Sequence, residues 1–339
     1  MLIRLFFFLL RGGWYKPMWG EGRFGDNVNN AIAKFRPHLK LLPAFFLKYQ
    51  LLKEYIQRGV TPLEFFLFDF PNRTVAEKDS FLPDQCKDKL SMKATSIELF
   101  NMELTDKYRF YLLNEKFYKR KAIEISRDST LTEFISFARQ EKKLFIKPVG
   151  GSYGRGAFIY TYSENDVKSV YDNLRKDRFI VEALIKQAPA MGIWNESSVN
   201  TVRVPTILSS KGFHVMGCFM RTGRKGSVID NAGGGGIFAA IDEETGIVIS
   251  NGFSEEGVSY VKHPDSGIVY KGFRLPDWQS LLTLAEEVHR GMPKHKYIAY
   301  DFAYTEEGWV LVEGNWGQFI SQFATGIGLK DQFIKYMNE

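Results

Sequence analysis

The sequence predicts an α+β protein with a mostly helical N-terminal region, and three stretches carry that reading. Near the C-terminus, the apolar, β-rich runs Tyr297–Thr305 and Trp309–Gly314 flank the short turn Glu306-Glu307-Gly308. In mid-chain, two short hydrophobic runs at 144–149 and 157–162 enclose four glycines in seven residues, Gly150-Gly151-Ser152-Tyr153-Gly154-Arg155-Gly156. The first hundred residues, in contrast, repeat their apolar positions near helical spacing and show no βαβ rhythm.

The C-terminal hairpin holds the most informative side chains. A three-residue loop wants a left-handed residue at its third position, and Gly308 stands there. With that loop Thr305 pairs with Trp309, and stepping outward by twos brings Asp301 opposite Glu313. Like charges facing each other across a strand pair, roughly 4.5–5.5 Å apart at Cβ, destabilise a sheet unless something neutralises them. Asn315 emerges on the same face as Glu313. Three oxygen ligands on otherwise buried strands suit one or two Mg²⁺ ions shared with substrate phosphates.

Composition sets the outer bounds. A chain of 339 residues that is 45% hydrophobic buries a large core and holds two or three subdomains. Cys86 and Cys218 form neither a disulfide framework nor zinc spacing, which fits a reducing cytoplasm. The net charge of +6 fits anionic small substrates or a membrane surface as well as nucleic acid.

The run LIRLFFFLL is far short of the roughly 20 residues that span a bilayer, and no A-x-A-like cleavage site follows it. It reads either as a helix packed on the domain or as one resting on the inner membrane face. From Asn29 to Tyr55 the pattern is helical, broken into pieces at Pro37 and Pro43. Thr61-Pro62 opens a short helix with Thr61 as its cap. Residues 71–95 read as an exposed polar connection. A helix over Lys107–Phe117 presents Phe110, Leu113 and Phe117 on one face, and another begins at Thr130.

The glycine-rich hairpin leaves backbone N–H groups free to turn toward an anion, with Lys147 placed to set its ammonium beside the same group. No helix follows, so this is neither a P-loop nor a dinucleotide fingerprint; it reads as a lid over phosphates. Phe179–Ile185 is a buried strand containing Glu182. In SSVNTVRVPTIL, Arg203 stands among valines and needs an anionic partner, either a structural carboxylate or a phosphate oxygen. Residues 213–223 and 237–250 continue as strands, separated by VIDNAGGGGIF. A helix capped by Asp277 then runs to about Gly291 with Trp278, Leu281, Leu282, Ala285 and Val288 toward the core.

Taken in order, Lys107, Lys147 with its glycine lid, Glu182 in an apolar strand, and Asp301…Glu313-x-Asn315 resemble the ATP-grasp superfamily. Within it, SSVNTVR, DNAGGGGI and YDFAYTEEGWVLVEGN resemble the sugar-transfer-associated branch, related to α-L-glutamate ligases; the resemblance covers roughly residues 95–330. It implies an ATP-grasp fold in which two α+β subdomains sandwich ATP. Residues 1–100 would form the helical region, 101–185 the subdomain with the lid, and 186–339 the C-terminal subdomain with the Mg²⁺ site.

By the same resemblance, Lys107 and Lys147 contact the α- and β-phosphates, and Gly150, Gly151, Ser152, Tyr153, Gly154 and Gly156 close over the β- and γ-phosphates. Glu182, Ala183 and Leu184 form the adenine hinge. Asp301, Glu313 and Asn315 hold Mg²⁺, Arg203 sits near the γ-phosphate, and Arg221, Asp230 and Asn231 face the acceptor. The implied activity is ATP- and Mg²⁺-dependent joining of a carboxylate to an amine through an acyl phosphate. An amino acid or amine and a carboxylated sugar of surface-polysaccharide assembly are the implied substrates, with no nucleic acid. A phosphotransferase, or a non-catalytic partner of a glycosyltransferase complex docked through the N-terminus, would share the same nucleotide site. Two departures stand out. Gln187 occupies the region where a ribose-binding acid is usual, and the N-terminal region is helical where many relatives carry an α/β domain.

Overall fold

Residues 24–151, 154–227, 230, 235–317 and 319–339 are described by the structure, a computed structural model. The chain divides into two compact units: one runs to Lys89 and takes in Gly326–Asp331, and the other holds Leu90–Thr325 and Gln332–Glu339.

The first unit is helical, with α1 (Phe24–Phe35), α2 (Leu41–Arg58), α3 (Pro62–Leu67), α4 (Val75–Ser80) and the start of α5 (Asp84–Ala94). Thr61 caps α3 as expected. Its hydroxyl accepts from the Glu64 N–H at 3.3 Å, while Glu64 Oε2 accepts from the Thr61 N–H at 2.8 Å. Phe65, Phe68, Phe70 and Phe81 make the core, with the rings of Phe68 and Phe81 4.8 Å apart. Two expectations are corrected. Pro43 does not break a helix, because it lies in the first turn of α2, where its missing N–H would have had no intrahelical partner. Residues 71–95 are not a connection: Thr74 and Glu77 form a second reciprocal cap that starts α4, and α5 follows. Short polar helices of this kind carry almost no apolar periodicity to read.

The second unit contains two antiparallel sheets. After α6 (Ile97–Phe100) and a π-turn at Asn101–Thr105 comes α7 (Lys107–Tyr118), capped by Asp106, whose carboxylate accepts from the Arg109 N–H at 2.9 Å. Its buried face is Phe110, Tyr111, Asn114, Phe117 and Tyr118 rather than one including Leu113, which is exposed. The helix kinks at Asn114 (φ −127°), and this shifts the buried stripe.

The smaller sheet has the order β1-β4-β2-β3, built from β1 (Ala122–Ile125), β2 (Lys143–Pro148), β3 (Phe158–Thr161) and β4 (Phe179–Ala183). Helices α8 (Leu131–Glu141) and α9 (Val167–Leu174) cover one face, burying Phe134, Phe137, Tyr171 and Leu174 against Leu144, Ile146 and Val181. Strand alternation therefore sends Lys147 and Glu182 out of the other face.

A short α10 (Pro189–Gly192) leads to the larger sheet, of order β10-β9-β8-β7-β5-β11-β12 with β6 also paired to β5. Its strands are β5 (Thr201–Ser209), β6 (Gly212–Val215), β7 (Phe219–Thr222), β8 (Ile237–Ala240), β9 (Gly252–Phe253), β10 (Ser259–Tyr260), β11 (Tyr297–Thr305) and β12 (Gly308–Asn315). One face packs on α7 and α11 (Trp278–Arg290), with Tyr300 between Phe110 (6.4 Å) and His289 (5.8 Å). Asp277 does not cap α11. It adopts φ 41°, and its carboxylate accepts from the Tyr304 hydroxyl instead. The chain closes with α12 (Ser321–Thr325) and α13 (Lys330–Asn338).

The β11–β12 register differs from the expected one and yet delivers the same pair. Thr305 pairs with Gly308, not Trp309, around the turn Glu306-Glu307, and a bulge between Asp301 and Phe302 leaves Val312 as the extra residue. The bulge shifts the register by one and restores Asp301 opposite Glu313. Gly308 does take positive φ, at 87°. No helix among the described residues is long and apolar enough to cross a membrane. The apolar run near the N-terminus lies outside the described residues, as do Ser152, Tyr153 and Asn231.

Candidate functional site

On the smaller sheet, Lys147 and Glu182 are diagonal neighbours, since Phe145 pairs with Glu182 and Lys147 with Ile180. Both are buried, and Lys147 Nζ lies 3.5 Å from Glu182 Oε2. Arg120 approaches the other carboxylate oxygen at 3.4 Å. Burial alone would raise the Glu182 carboxyl, but the charges of Lys147 and Arg120 outweigh it and hold the group below its ordinary value. Next to it Ala183 donates its N–H to Lys121 O at 3.0 Å, and Leu184 begins the connector.

Lys107 stands at the start of α7 and reaches the glycine loop. Its ammonium donates to Gly151 O at 2.7 Å and to Val149 O at 3.4 Å. Gly151, Gly154 and Gly156 have φ of 101°, 67° and 76°, values that only glycine adopts readily. A Cβ added at Gly150 or Gly151 would meet nothing within 4 Å, so this stretch of backbone faces open space.

On the larger sheet, the face opposite α7 and α11 carries a connected set of charges. Asp301 is 0% exposed and accepts from Arg203 in a two-point fork, Nε at 2.6 Å and Nη2 at 2.5 Å. Arg221 Nη2 lies 2.8 Å from the same carboxylate. The anionic partner of Arg203 is thus a structural carboxylate. Burial pushes Asp301 up, but Arg203 and Arg221 prevail and bring it down to about 2. Arg203 Nη2 also comes within 4.0 Å of Glu313, which faces Asp301 across the strand pair. Asp230 accepts from the Thr201 N–H at 2.9 Å and from its hydroxyl at 2.5 Å, and lies 3.6 Å from Arg221. Asn315 pairs with Ala299, two residues along from the Asp301–Glu313 pair and therefore on the same face. Its Oδ1 and Arg203 Nη1 both lie within 3 Å of the point where a Cβ on Gly317 would stand, so only glycine leaves that space open.

The two halves meet electrostatically. Burial lowers the Lys107 ammonium, the nearby charge of Lys147 lowers it further, and Glu313 opposes both. The helix that holds the glycine loop through Lys107 also packs on β12, the strand bearing Glu313 and Asn315, with Phe110 against Gly314. The profile of the sugar-transfer associated ATP-grasp family matches residues 111–337. The chain belongs to that family.

Lys107 lies just outside the matched stretch. No curated protein matches the chain significantly. Among solved structures it is similar to D-alanyl-alanine synthetase A from Vibrio cholerae, at 12% identity and TM-score 0.43, over 70% of this chain and 65% of that one. It is also similar to D-alanine–D-alanine ligase from Bacillus anthracis, at 14% identity and TM-score 0.45, over 75% of each chain. A third is the ADP complex of an N5-carboxyaminoimidazole ribonucleotide synthetase, at 14% identity and TM-score 0.42, over 72% of this chain and 57% of that one. The chain spans less than two thirds of the first and third of these.

ATP-grasp chemistry implies a magnesium ion, and the donor set fits one. Among the described residues no cluster of three or more His, Cys, Asp or Glu gathers. The site offers two carboxylates and an amide oxygen, the hard donors suited to Mg²⁺, which keeps waters and shares substrate phosphates.

Arg120, Thr201 and Gly317 join the site without having been expected. Arg120 sits in the run Lys119-Arg120-Lys121, which has the look of a solvated surface, and Thr201 is an ordinary strand residue. Gln187 is committed elsewhere. Its amide donates to Asn200 O at 2.6 Å and accepts from the Asn200 N–H and Nδ2 at 2.8 and 2.9 Å.

Proposed function

We propose that the protein is an ATP- and Mg²⁺-dependent carboxylate–amine ligase that works through an acyl phosphate. The observation carrying this reading is that one helix, α7, holds the glycine loop through Lys107 and packs on β12, where Glu313 faces Asp301. In this reading Lys107 and Lys147 bind the α- and β-phosphates, and the 150–156 loop excludes water above the β- and γ-phosphates. Glu182, Ala183 and Leu184 border the adenine. Asp301, Glu313 and Asn315 hold one or two Mg²⁺ ions, which supply positive charge to the transferring phosphoryl group. Arg203 orients that group and stabilises the charge it develops. A carboxylate oxygen attacks the γ-phosphorus and ADP leaves; an amine then attacks the acyl carbon and phosphate leaves. Arg221, Asp230 and Asn231 line the acceptor side.

We take the substrates to be a carboxylated sugar and an amino acid or amine, in surface-polysaccharide assembly; the family's association with sugar transfer supports a sugar among them. We assign the protein to the cytoplasm, with residues 1–11 as the contact to the inner membrane face or to a glycosyltransferase. The test is ADP release against a panel of uronic-acid sugars and amino acids. Release that depends on both a carboxylate and an amine, with an amide product by mass spectrometry, supports the ligase. A phosphorylated product without amine dependence replaces it with a phosphotransferase, and ATP binding with no turnover replaces it with a non-catalytic partner.

A further inference from the structure

Arg120 lies between the two sheets and touches both. Its Nη1 donates to Leu311 O on β12 at 2.8 Å, and its Nη2 lies 3.4 Å from Glu182 on β4. The guanidinium rests 4.4 Å from the centre of the Tyr118 ring, its side chain is 6% exposed, and its Nε has no hydrogen-bond partner among the described residues. The same segment is tied down on either side. Lys119 Nζ donates to Glu307 O at 2.8 Å, and Lys121 O accepts from Ala183.

We infer that Arg120 is a positioning residue that draws Glu182 away from Lys147, so that the lysine keeps its ammonium for a nucleotide phosphate. Glu182 sits between two cations at nearly equal distances, 3.4 Å to Arg120 and 3.5 Å to Lys147. A buried carboxylate shared in this way gives neither partner a tight pair. Arg120 is anchored by the Leu311 carbonyl and the Tyr118 ring, so it does not follow the carboxylate. Take that anchored charge away and Glu182, buried with one remaining cation, closes on Lys147. The lysine charge is then spent inside the protein. An arginine suits the task because its planar fork sends separate donors to two acceptors on different strands.

The inference rests on the nucleotide reading above, and calorimetric titration of the full chain with Mg²⁺·ADP separates the two. Wild-type protein that fails to bind ADP overturns the nucleotide reading itself. Given wild-type binding, Arg120→Met is expected to weaken ADP by about 10- to 100-fold, the loss of one charge-assisted phosphate contact. In a Glu182→Gln background the same Arg120→Met change is expected to move ADP affinity by less than about threefold, because no carboxylate remains to claim Lys147. A merely structural arginine predicts the same loss in either background, and that result overturns the proposal, as does wild-type affinity in Arg120→Met. Thermal melts check folding. If Arg120→Met does not fold, Arg120→Lys, which cannot reach Leu311 O and Glu182 together, takes its place in both backgrounds and is read the same way.

Discussion

Asp301 and Glu313 face each other, but their replacement has very different consequences. Asp301 is wholly buried and neutralises two arginines whose side chains are only 12% and 8% exposed. Asp301→Asn leaves Arg221 with Asp230 at 3.6 Å and Arg203 with Glu313 at 4.0 Å, and removing one partner of a buried ion pair costs about 3–5 kcal/mol. For a unit of this size, roughly 2–4 °C of melting temperature follows each kcal/mol, so the variant should melt on the order of 10 °C below wild type. Glu313 is 31% exposed and its nearest cation is 4.0 Å away. Glu313→Gln should therefore cost no more than about 1 kcal/mol. Both variants should lose Mg²⁺-dependent turnover. Calorimetric melts at pH 7 beside the turnover assay separate fold from function. Asp301→Asn melting together with wild type would mean that the two arginines do not depend on this carboxylate, and the charge network would be wrong. Adding Arg203→Met to Asp301→Asn should recover part of the loss, since it removes one of the stranded charges.

The same carboxylate sets an acid limit. Its folded value of about 2 lies below the unfolded 3.8, so its stabilising contribution is present above the unfolded value and lost as pH falls through the folded one. Acid unfolding followed by circular dichroism should show about 2–3 kcal/mol of that loss between roughly pH 4 and 2, absent in Asp301→Asn. Lys147→Ala should weaken Mg²⁺·ADP by about tenfold or more in calorimetric titration, and unchanged affinity would remove the lysine from the phosphate site. Gly314→Ala would place a Cβ 2.6 Å from the Phe110 ring, and overpacking there should cost about 1–3 kcal/mol in chemical denaturation. A neutral outcome would mean that α7 shifts freely on the sheet.

The fold class and the facing acids were legible because strand periodicity and a marked glycine turn are local signals. The pairing was nonetheless reached through the wrong turn: counting from Thr305–Trp309 and counting from Thr305–Gly308 with one bulge converge on Asp301–Glu313. A bulge leaves no composition mark, so only coordinates expose it. Arg203 was recognisable as a buried cation in want of an anion, but which anion depends on the neighbouring strand, 98 residues away. Arg120 was hidden for the opposite reason. Three cations in a row look solvated, and the fold buries the middle one alone. Helices α4 and α5 were missed because reciprocal caps, rather than an apolar stripe, start the first of them.

Gly314 has one more consequence. With Phe110 seated against it, α7 is fastened to the strand that bears Glu313 and Asn315, while its first residue, Lys107, grips the loop after β2. Through that one helix the loop after β2 and the strand bearing Glu313 and Asn315 are tied to a common support.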